Sequence, residues 1–307
     1  MDERNIAVSV LCLAYNHADY IEDAIKSFLM QKANFPYEII IHDDASTDGT
    51  TAIIKRYQSQ YPDRIKAIYQ KENQFSKDQY SVYFNLTERA KGKYIAVCEG
   101  DDYWIDPYKL QKQYDCLEAN ANVDMCATAA YVVNAETKKI IKKERLAKRQ
   151  VLFSTQDVIM GGGGFVCTNT LFYRSDIERE MLDFRKHMDY DYTLQISGSL
   201  RGGLLYLPDF TACYRAYSKN SWTSQVKSDQ AKKAKMQASV IQMLYELEED
   251  TKGKYHDTIQ MAICREKYIL EASEQDYKAM MENPYYMYQS FKHRIRPFVR
   301  RFLGLKI

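Results

Sequence analysis

The sequence predicts an α/β fold: a mostly parallel sheet flanked by helices, with a helical C-terminal extension. Three observations predict it. Apolar runs alternate with helix-patterned segments over the first 120 residues, the arrangement that builds an open sheet with crossover helices. The runs are continuous rather than alternating, as in strands buried on both faces. From Asp229 onward helical spacing alone remains, in two or three helices.

Taken in order, Ile6 to Leu13 is the first buried strand. Asp19 is placed to cap a helix, with Glu22 completing a capping box and Ile21, Ile25, Phe28 and Leu29 forming its buried face. Glu38 to Ile41 is a second strand running into His42-Asp43-Asp44. Thr50 to Tyr61 reads as a helix stopped by Pro62, and Ile65 to Tyr69 as a third strand. A helix lies around Tyr83 to Ala90, and the strand Tyr94 to Cys98 ends at Glu99-Gly100-Asp101-Asp102. Asp106-Pro107 opens a helix reaching Ala119, with Pro at the first helical position, where its missing donor costs nothing. Asp124 to Ile141 has a hairpin pattern, and Lys138 to Arg149 is a basic loop read as a solvated face. Gly161 to Gly164 gives a pliable backbone that can approach a ligand closely. Helical spacing returns from Asp189 to Leu200, before a strand-rich stretch from Leu204 to Tyr217.

Composition narrows the class. At 307 residues the chain can hold one large domain with an appendage, or two ordinary domains. With 46% hydrophobic and 27% charged residues, it is neither disordered nor of low complexity. A net charge of +2 gives no basic excess, so no nucleic-acid partner is expected. Seven cysteines, an odd number without CxxC spacing, read as free thiols rather than a disulfide framework or zinc site. The five histidines show no metal-ligand spacing. The first residues lack the pattern of a signal peptide, and no apolar run reaches membrane-spanning length, so the expected location is the cytoplasm.

In open α/β sheets, ligands bind beyond the carboxyl ends of the strands. Three polar clusters fall there: Tyr15-Asn16, Asp43-Asp44, and Glu99 to Asp102. Ser46 to Thr50 is explained as turn and cap residues. Two adjacent carboxylates at a strand mouth need a partner to offset their repulsion, and a nucleobase N–H, a ribose hydroxyl or a cation would serve. Glu99-Gly100-Asp101-Asp102 places three carboxylates within four residues. Hard divalent cations such as Mn²⁺ or Mg²⁺ take such oxygen ligands together with substrate phosphate. The residues after Asp102 are aromatic, unlike an EF-hand loop.

Four stretches carry a family resemblance. Val8 to Asn16 is similar to an opening strand and TYN turn, with Ala14 in the place of Thr. His42 to Thr50 resembles a DDxSxDGT turn, Gly92 to Asp102 a GxYIAxLDxDD strand, and Asp106 to Gln113 the helix that follows. Together they resemble the family 2 glycosyltransferases, inverting enzymes of the Rossmann-like GT-A fold that use nucleoside-diphosphate sugars. The match covers the first 115 residues well and extends loosely to Trp222. By this resemblance Ala14, Tyr15, Asn16, Asp43 and Asp44 hold the nucleotide. Glu99, Gly100 and Asp101 belong to the sugar-nucleotide site, and Asp101 and Asp102 bind Mn²⁺ or Mg²⁺. Glu99 stands where the family has the first Asp of its metal motif.

His187-Met188-Asp189-Tyr190-Asp191 looks like the family's ED element, which supplies the general base; Asp189 is the first candidate and Asp191 the second, and either also suits a helix N-cap. Cys213 to Trp222 resembles the YRxHxxxxW segment, which implies that Arg215 grips phosphate and Trp222 stacks on a sugar; an ion-pair Arg215 and a core Trp222 are the plainer alternatives. The resemblance implies a glycosyltransferase domain over 1–225, divided into a nucleotide-binding half (1–120) and an acceptor-side half (121–225), with 226–307 as the helical segment. The implied activity moves a hexose from a UDP-sugar to a hydroxyl of a saccharide or glycan acceptor in surface polysaccharide or glycoprotein glycan synthesis. A nucleotidyltransferase of related fold and a non-catalytic nucleotide- or sugar-binding module are the alternatives. Phe291 to Leu305 forms an amphipathic basic pattern, suited to peripheral contact with the inner face of a membrane, to the chain's own core, or to dimerisation.

Overall fold

In a computed structural model, which describes residues 6–179, 182–186, 190–219, 229–274, 276–289 and 294, the apolar runs become the middle of one sheet. Strands β1 (Val8–Ala14), β2 (Tyr37–Asp43), β3 (Ile65–Tyr69) and β4 (Tyr94–Val97) lie parallel in the order β3-β2-β1-β4. Every residue of β2 and β4 is buried, which is why their sequence shows no polar alternation. Beyond β4 the sheet continues through β9 (Phe172–Arg174), β6 (Met125–Asn134), β10 (Leu204–Ala216) and the short β5 (Tyr103–Trp104). Here the pairing is mixed: β9 is antiparallel to both neighbours, β6 and β10 are parallel, and β5 is antiparallel. Strands β7 (Ile140–Glu144) and β8 (Val151–Phe153) add to β6 and β10.

Helices α1 (Ile21–Leu29), α2 (Thr50–Gln60), α3 (Gln79–Thr87) and α4 (Lys109–Glu118) follow β1, β2, β3 and β5. Ile21, Ala24, Ile25 and Phe28 of α1 share one core with Val8, Val10, Cys12 and Ala14, the alternate residues that β1 turns to one face. Asp19 and Glu22 do not form the expected capping box. The His17 carbonyl already takes the first amides, those of Tyr20 and Ile21. Asp19 pairs instead with Lys219, and Glu22 with Lys26, Arg56 and Tyr57. Pro107 likewise lies just outside α4, while Asp106 accepts from the Tyr108 amide.

The chain divides into two compact units. The first comprises Met1–Val158, Gly163–Met181 and Tyr190–Ser221; the second comprises Ile159–Gly162, Leu182–Asp189 and Trp222–Ile307. Helix α5 (Thr155–Gly161) leads from one into the other, and α6 (Tyr190–Ser199) belongs to the first. The second unit is built on α7 (Gln230–Asp250) and α8 (His256–Glu274), followed by α9 (Tyr277–Glu282) and α10 (Pro284–Tyr288). Asp229 caps α7 by accepting from the Ala231 and Lys232 amides. Val240, Met243, Leu244 and Leu247 of α7, like Ile259, Ala262 and Ile263 of α8, are buried. All seven cysteines are free, and among the described residues no helix is long and apolar enough to cross a membrane. The basic pattern of Phe291 to Leu305 lies, apart from Arg294, outside the described residues.

Candidate functional site

Two loops meet at the carboxyl ends of β1 and β2, and the turn after Asp44 binds them together. The Ser46 hydroxyl accepts from the Asn16 amide (2.9 Å), Thr50 from the His17 amide (2.8 Å), and Asp48 from the Ala18 amide (2.9 Å). Asn16 returns the contact by accepting from the Thr47 amide at 2.8 Å. Ser46 to Thr50 thus does more than turn the chain: it seals the two strand ends together. The seal holds strained backbone, because Asn16 (φ 55°) and Ala45 (φ 62°) are left-handed. Asn tolerates that region, whereas Ala does not without an energetic cost. Ala14 is buried, whereas Tyr15, Thr47 and Asp48 of this corner are exposed.

Asp43 and Asp44 are buried, with little left for a ligand. Asp43 accepts from the Ser46 amide (3.1 Å) and the Thr51 hydroxyl. Asp44 accepts from the amides of Gln74 (2.8 Å) and Phe75 (2.9 Å), fixing the segment that follows β3. Their mutual repulsion is therefore offset by the protein's own donors, and both carboxylates shape this corner from within.

The third cluster separates into residues that face different ways. Gly100 packs against the end of β1, its amide bonded to the Leu13 carbonyl at 2.9 Å. A Cβ there would stand 2.9 Å from His17 Nδ1, 2.9 Å from Ile21 Cδ1 and 3.1 Å from Ala14 Cβ. Gly100→Ala is accordingly expected to push the carboxylate loop off β1. Thermal unfolding should show a loss of about 1–3 kcal/mol.

Asp102 turns inward. It is 1% exposed, and it accepts from the Arg215 amide (2.7 Å) and from Asn169 Nδ2 (3.0 Å). Asn169 also donates to the Cys213 carbonyl, and its own carbonyl takes the Trp104 indole N–H. Burial first, and the neighbouring Asp101 charge second, push the Asp102 pKa well above the usual carboxylate range. Asp101 is only half-buried: one oxygen accepts from the Ser218 hydroxyl (2.8 Å), and the other has no hydrogen-bond partner among the described residues. Glu99 accepts from the Tyr83 hydroxyl at 3.3 Å. Burial, then the charges of Asp191 and Asp101, raise its pKa to about 8.

Those charges show what the fold brings together. The charge of Asp191, in the first turn of α6, reaches Glu99, as does that of Asp101, so three carboxylates from two distant segments feel one another. Asp191 accepts from Thr168, and burial raises its pKa as well. Asp189 and Trp222 lie outside the described residues.

Arg215 does not reach outward as expected for a phosphate grip. Its side chain is 5% exposed. One guanidinium nitrogen donates to the Asp101 carbonyl (2.7 Å) and another pairs with Asp23. The plane stacks 4.4 Å from the Tyr103 ring centroid and 5.3 Å from that of Tyr20. The arginine is a strut under the carboxylate loop. Asn169, Ser218, Tyr83 and Asp23 were not singled out in the sequence, and each comes from a segment remote from its carboxylate or arginine partner. Only Ser218 had a signal, since it lies three residues after Arg215 in the same motif.

Among the described residues, no three His, Cys, Asp or Glu side chains could hold a metal ion alone. The donors do fit a Mg²⁺ or Mn²⁺ ion that takes one protein carboxylate, Asp101, and completes its shell with diphosphate and water.

The chain is similar to several known proteins. An uncharacterized protein of Mycobacterium tuberculosis is 32% identical over 220 residues, covering 71% of this chain and 61% of that protein. The chain therefore spans less than two thirds of that relative. The Escherichia coli UDP-Glc:alpha-D-GlcNAc-diphosphoundecaprenol beta-1,3-glucosyltransferase WfaP is 36% identical over 111 residues, covering 36% of this chain and 41% of that one. Among solved structures, Staphylococcus aureus TarS 1–349 in complex with UDP-GlcNAc superposes with a TM-score of 0.65 at 14% identity, covering 96% of this chain and 81% of TarS. The mannosyltransferase PcManGT of Pyrobaculum calidifontis, in complex with GDP-Man and Mn²⁺, gives 0.55 at 15% identity, covering 98% and 88%. At such identities these two share the fold, which is the expected GT-A arrangement. The sequence pattern described as Glycosyl transferase family 2 matches residues 9–182, more than half of the chain, and the chain belongs to that family.

Proposed function

We propose that this chain is a metal-dependent inverting glycosyltransferase that moves a hexose from a UDP-sugar to a hydroxyl of a saccharide or glycan acceptor, in the assembly of a surface polysaccharide or glycan. The observation that carries the reading is the meeting of Glu99, Asp101 and Asp191 beyond the strand ends, beside the exposed Tyr15. Such a mouth is suited to a charged donor on one side and a proton acceptor on the other.

In this reading Tyr15 stacks on the base, in a corner that Asn16, Asp43 and Asp44 hold in shape. Asp101, rather than the inward-facing Asp102, is the carboxylate offered to Mn²⁺ or Mg²⁺, which when bound offsets the charge of the departing diphosphate. An acceptor hydroxyl attacks the anomeric carbon in line. The C–O bond to the acceptor forms as the bond to the nucleoside diphosphate breaks, and the hydroxyl proton passes to a carboxylate. Asp191 is the better supported base, because its charge reaches Glu99 and burial raises its pKa above the usual carboxylate value. Asp189 is the alternative.

The test is release of nucleoside diphosphate by the full chain with Mn²⁺, across a panel of UDP-, GDP- and dTDP-sugars and saccharide acceptors. Turnover with a UDP-sugar is expected, with loss in chelator and recovery on adding Mn²⁺. Asp191→Asn should lower kcat by roughly 10²–10⁴-fold with little change in KM for the donor. Tight UDP binding without turnover on any donor would indicate a non-catalytic binding module. Pyrophosphate release from a nucleoside triphosphate and a sugar phosphate would indicate a nucleotidyltransferase.

A further inference from the structure

We propose that the ribbon formed by β7 and the basic segment following it docks this chain onto an anionic lipid surface. Between Lys138 and Arg149 the chain carries seven Lys and Arg against a single Glu, although its overall charge is only +2. The remainder is thus net negative, and this segment concentrates the positive charge. Every one of these cations is exposed. A solvated charged face accounts for the lysines but not for what lies among them. Ile140 is 54% exposed, Ile141 50% and Leu146 44%. A shift in register between Val132 and Val133 of β6 leaves Ile141 without a partner, so adjacent isoleucines both meet solvent where regular alternation would hide one. Aliphatic side chains set among cations match a lipid surface, where the tips enter the acyl boundary and the charges meet the headgroups.

The ribbon is held rigidly for this purpose. Tyr131 and Phe210 stack at 4.2 Å, with Lys143 lying 5.9 Å over the first ring and Arg145 5.5 Å over the second. Among the described residues β7 pairs only with β6, which leaves an open edge. Pairing of that edge with a second copy would set lysine against lysine, and edge lysines oppose such pairing. Between Lys138 and Arg149 there is no aromatic side chain on which a nucleic-acid base could stack. Lys138, two residues before β7, lines a cavity of about 430 Å³ together with Lys26, Tyr103 and Arg215.

Flotation of the full chain with lipid vesicles tests this. Binding to phosphatidylcholine vesicles containing about 30% phosphatidylglycerol should exceed binding to pure phosphatidylcholine by about tenfold or more, and about 0.5 M NaCl should abolish it. Two independent double variants, Ile140→Ser with Ile141→Ser and Lys142→Glu with Lys143→Glu, should each reduce binding about tenfold, while thermal unfolding and UDP binding stay at wild-type values. Equal binding to neutral vesicles, no binding to either, or undiminished binding by both variants would overturn the proposal. So would a wild-type dimer in sedimentation that the same substitutions dissociate, which would assign the edge to a second copy.

Discussion

Asp101→Ala and Asp102→Ala are expected to fail in opposite ways, although the two residues are adjacent and identical. Asp101→Ala should reduce sugar transfer by roughly 10³-fold, in line with losses on removing a group that meets developing charge. Its thermal midpoint should barely move, because the side chain gives up one hydrogen bond, from Ser218, worth about 1 kcal/mol. Asp102→Ala removes both acceptors from buried donors, the Arg215 amide and Asn169 Nδ2. Each orphaned donor costs about 1–3 kcal/mol, so a stability loss of roughly 2–5 kcal/mol is expected. Relief of repulsion with Asp101 and of carboxylate burial offsets part of that. Asp102→Asn separates these effects. It keeps an acceptor for the Arg215 amide but sets its own amide against Asn169 Nδ2, so its stability should fall between wild type and alanine. Denaturant unfolding alongside diphosphate release decides the matter. An Asp102→Ala protein of wild-type stability that has lost only activity would return Asp102 to the catalytic face.

That division shows how much of the site is legible in the sequence. The strands could be read because burial on both faces leaves unbroken apolar runs, Ile39 to Ile41 in β2 and Tyr94 to Val97 in β4. The site's position could be read because two acidic clusters follow buried strands. Which of two neighbouring aspartates faces in could not be read, since it depends on Asn169, 67 residues away, and on the Arg215 backbone, 113 residues away. The inward placement of Arg215 could not be read for the same reason: Asp23, 192 residues distant, pairs with its guanidinium. The missing capping box has a local cause, because a side-chain cap is needed only where no backbone carbonyl serves, and His17 serves. The basic segment after Lys138 was read as a solvated loop from its charges. Its strand β7 follows from pairing with β6, a contact that composition does not reveal.

Lys109 opens α4, yet its side chain lies wholly inside the protein, and it yields the most direct test of the core. Its ammonium donates to Gln113 Oε1 at 2.6 Å and sits 4.4 Å over the Trp104 ring; no described carboxylate bonds to it. Burial lowers its pKa to about 8, against about 10.4 for a free lysine. The unfolded chain therefore holds this proton more tightly than the folded one, and between pH 8 and 10.5 the Lys109 contribution to stability rises with pH. Below about pH 8 the buried charge costs roughly 3 kcal/mol relative to the neutral amine. Lys109→Met removes that charge at similar length and leaves Gln113 Oε1 without its donor, a loss of about 1–2 kcal/mol. The variant should thus be more stable than wild type by roughly 1–2 kcal/mol near pH 7. Its advantage should shrink from about pH 8 and reverse by about pH 10.5, where the neutral lysine keeps the bond to Gln113 at no charge penalty. The buried thiols Cys12, Cys98 and Cys126, whose pKa values burial raises, pull stability the other way at high pH. Cys12 does so equally in both proteins, whereas Cys98 and Cys126 feel the Lys109 charge, so the difference between the two unfolding curves, measured in urea with reductant at each pH, reports Lys109 together with these two thiols. A difference independent of pH would mean that the folded protein holds Lys109 as readily charged as water does, with its charge fully met by Trp104 and Gln113.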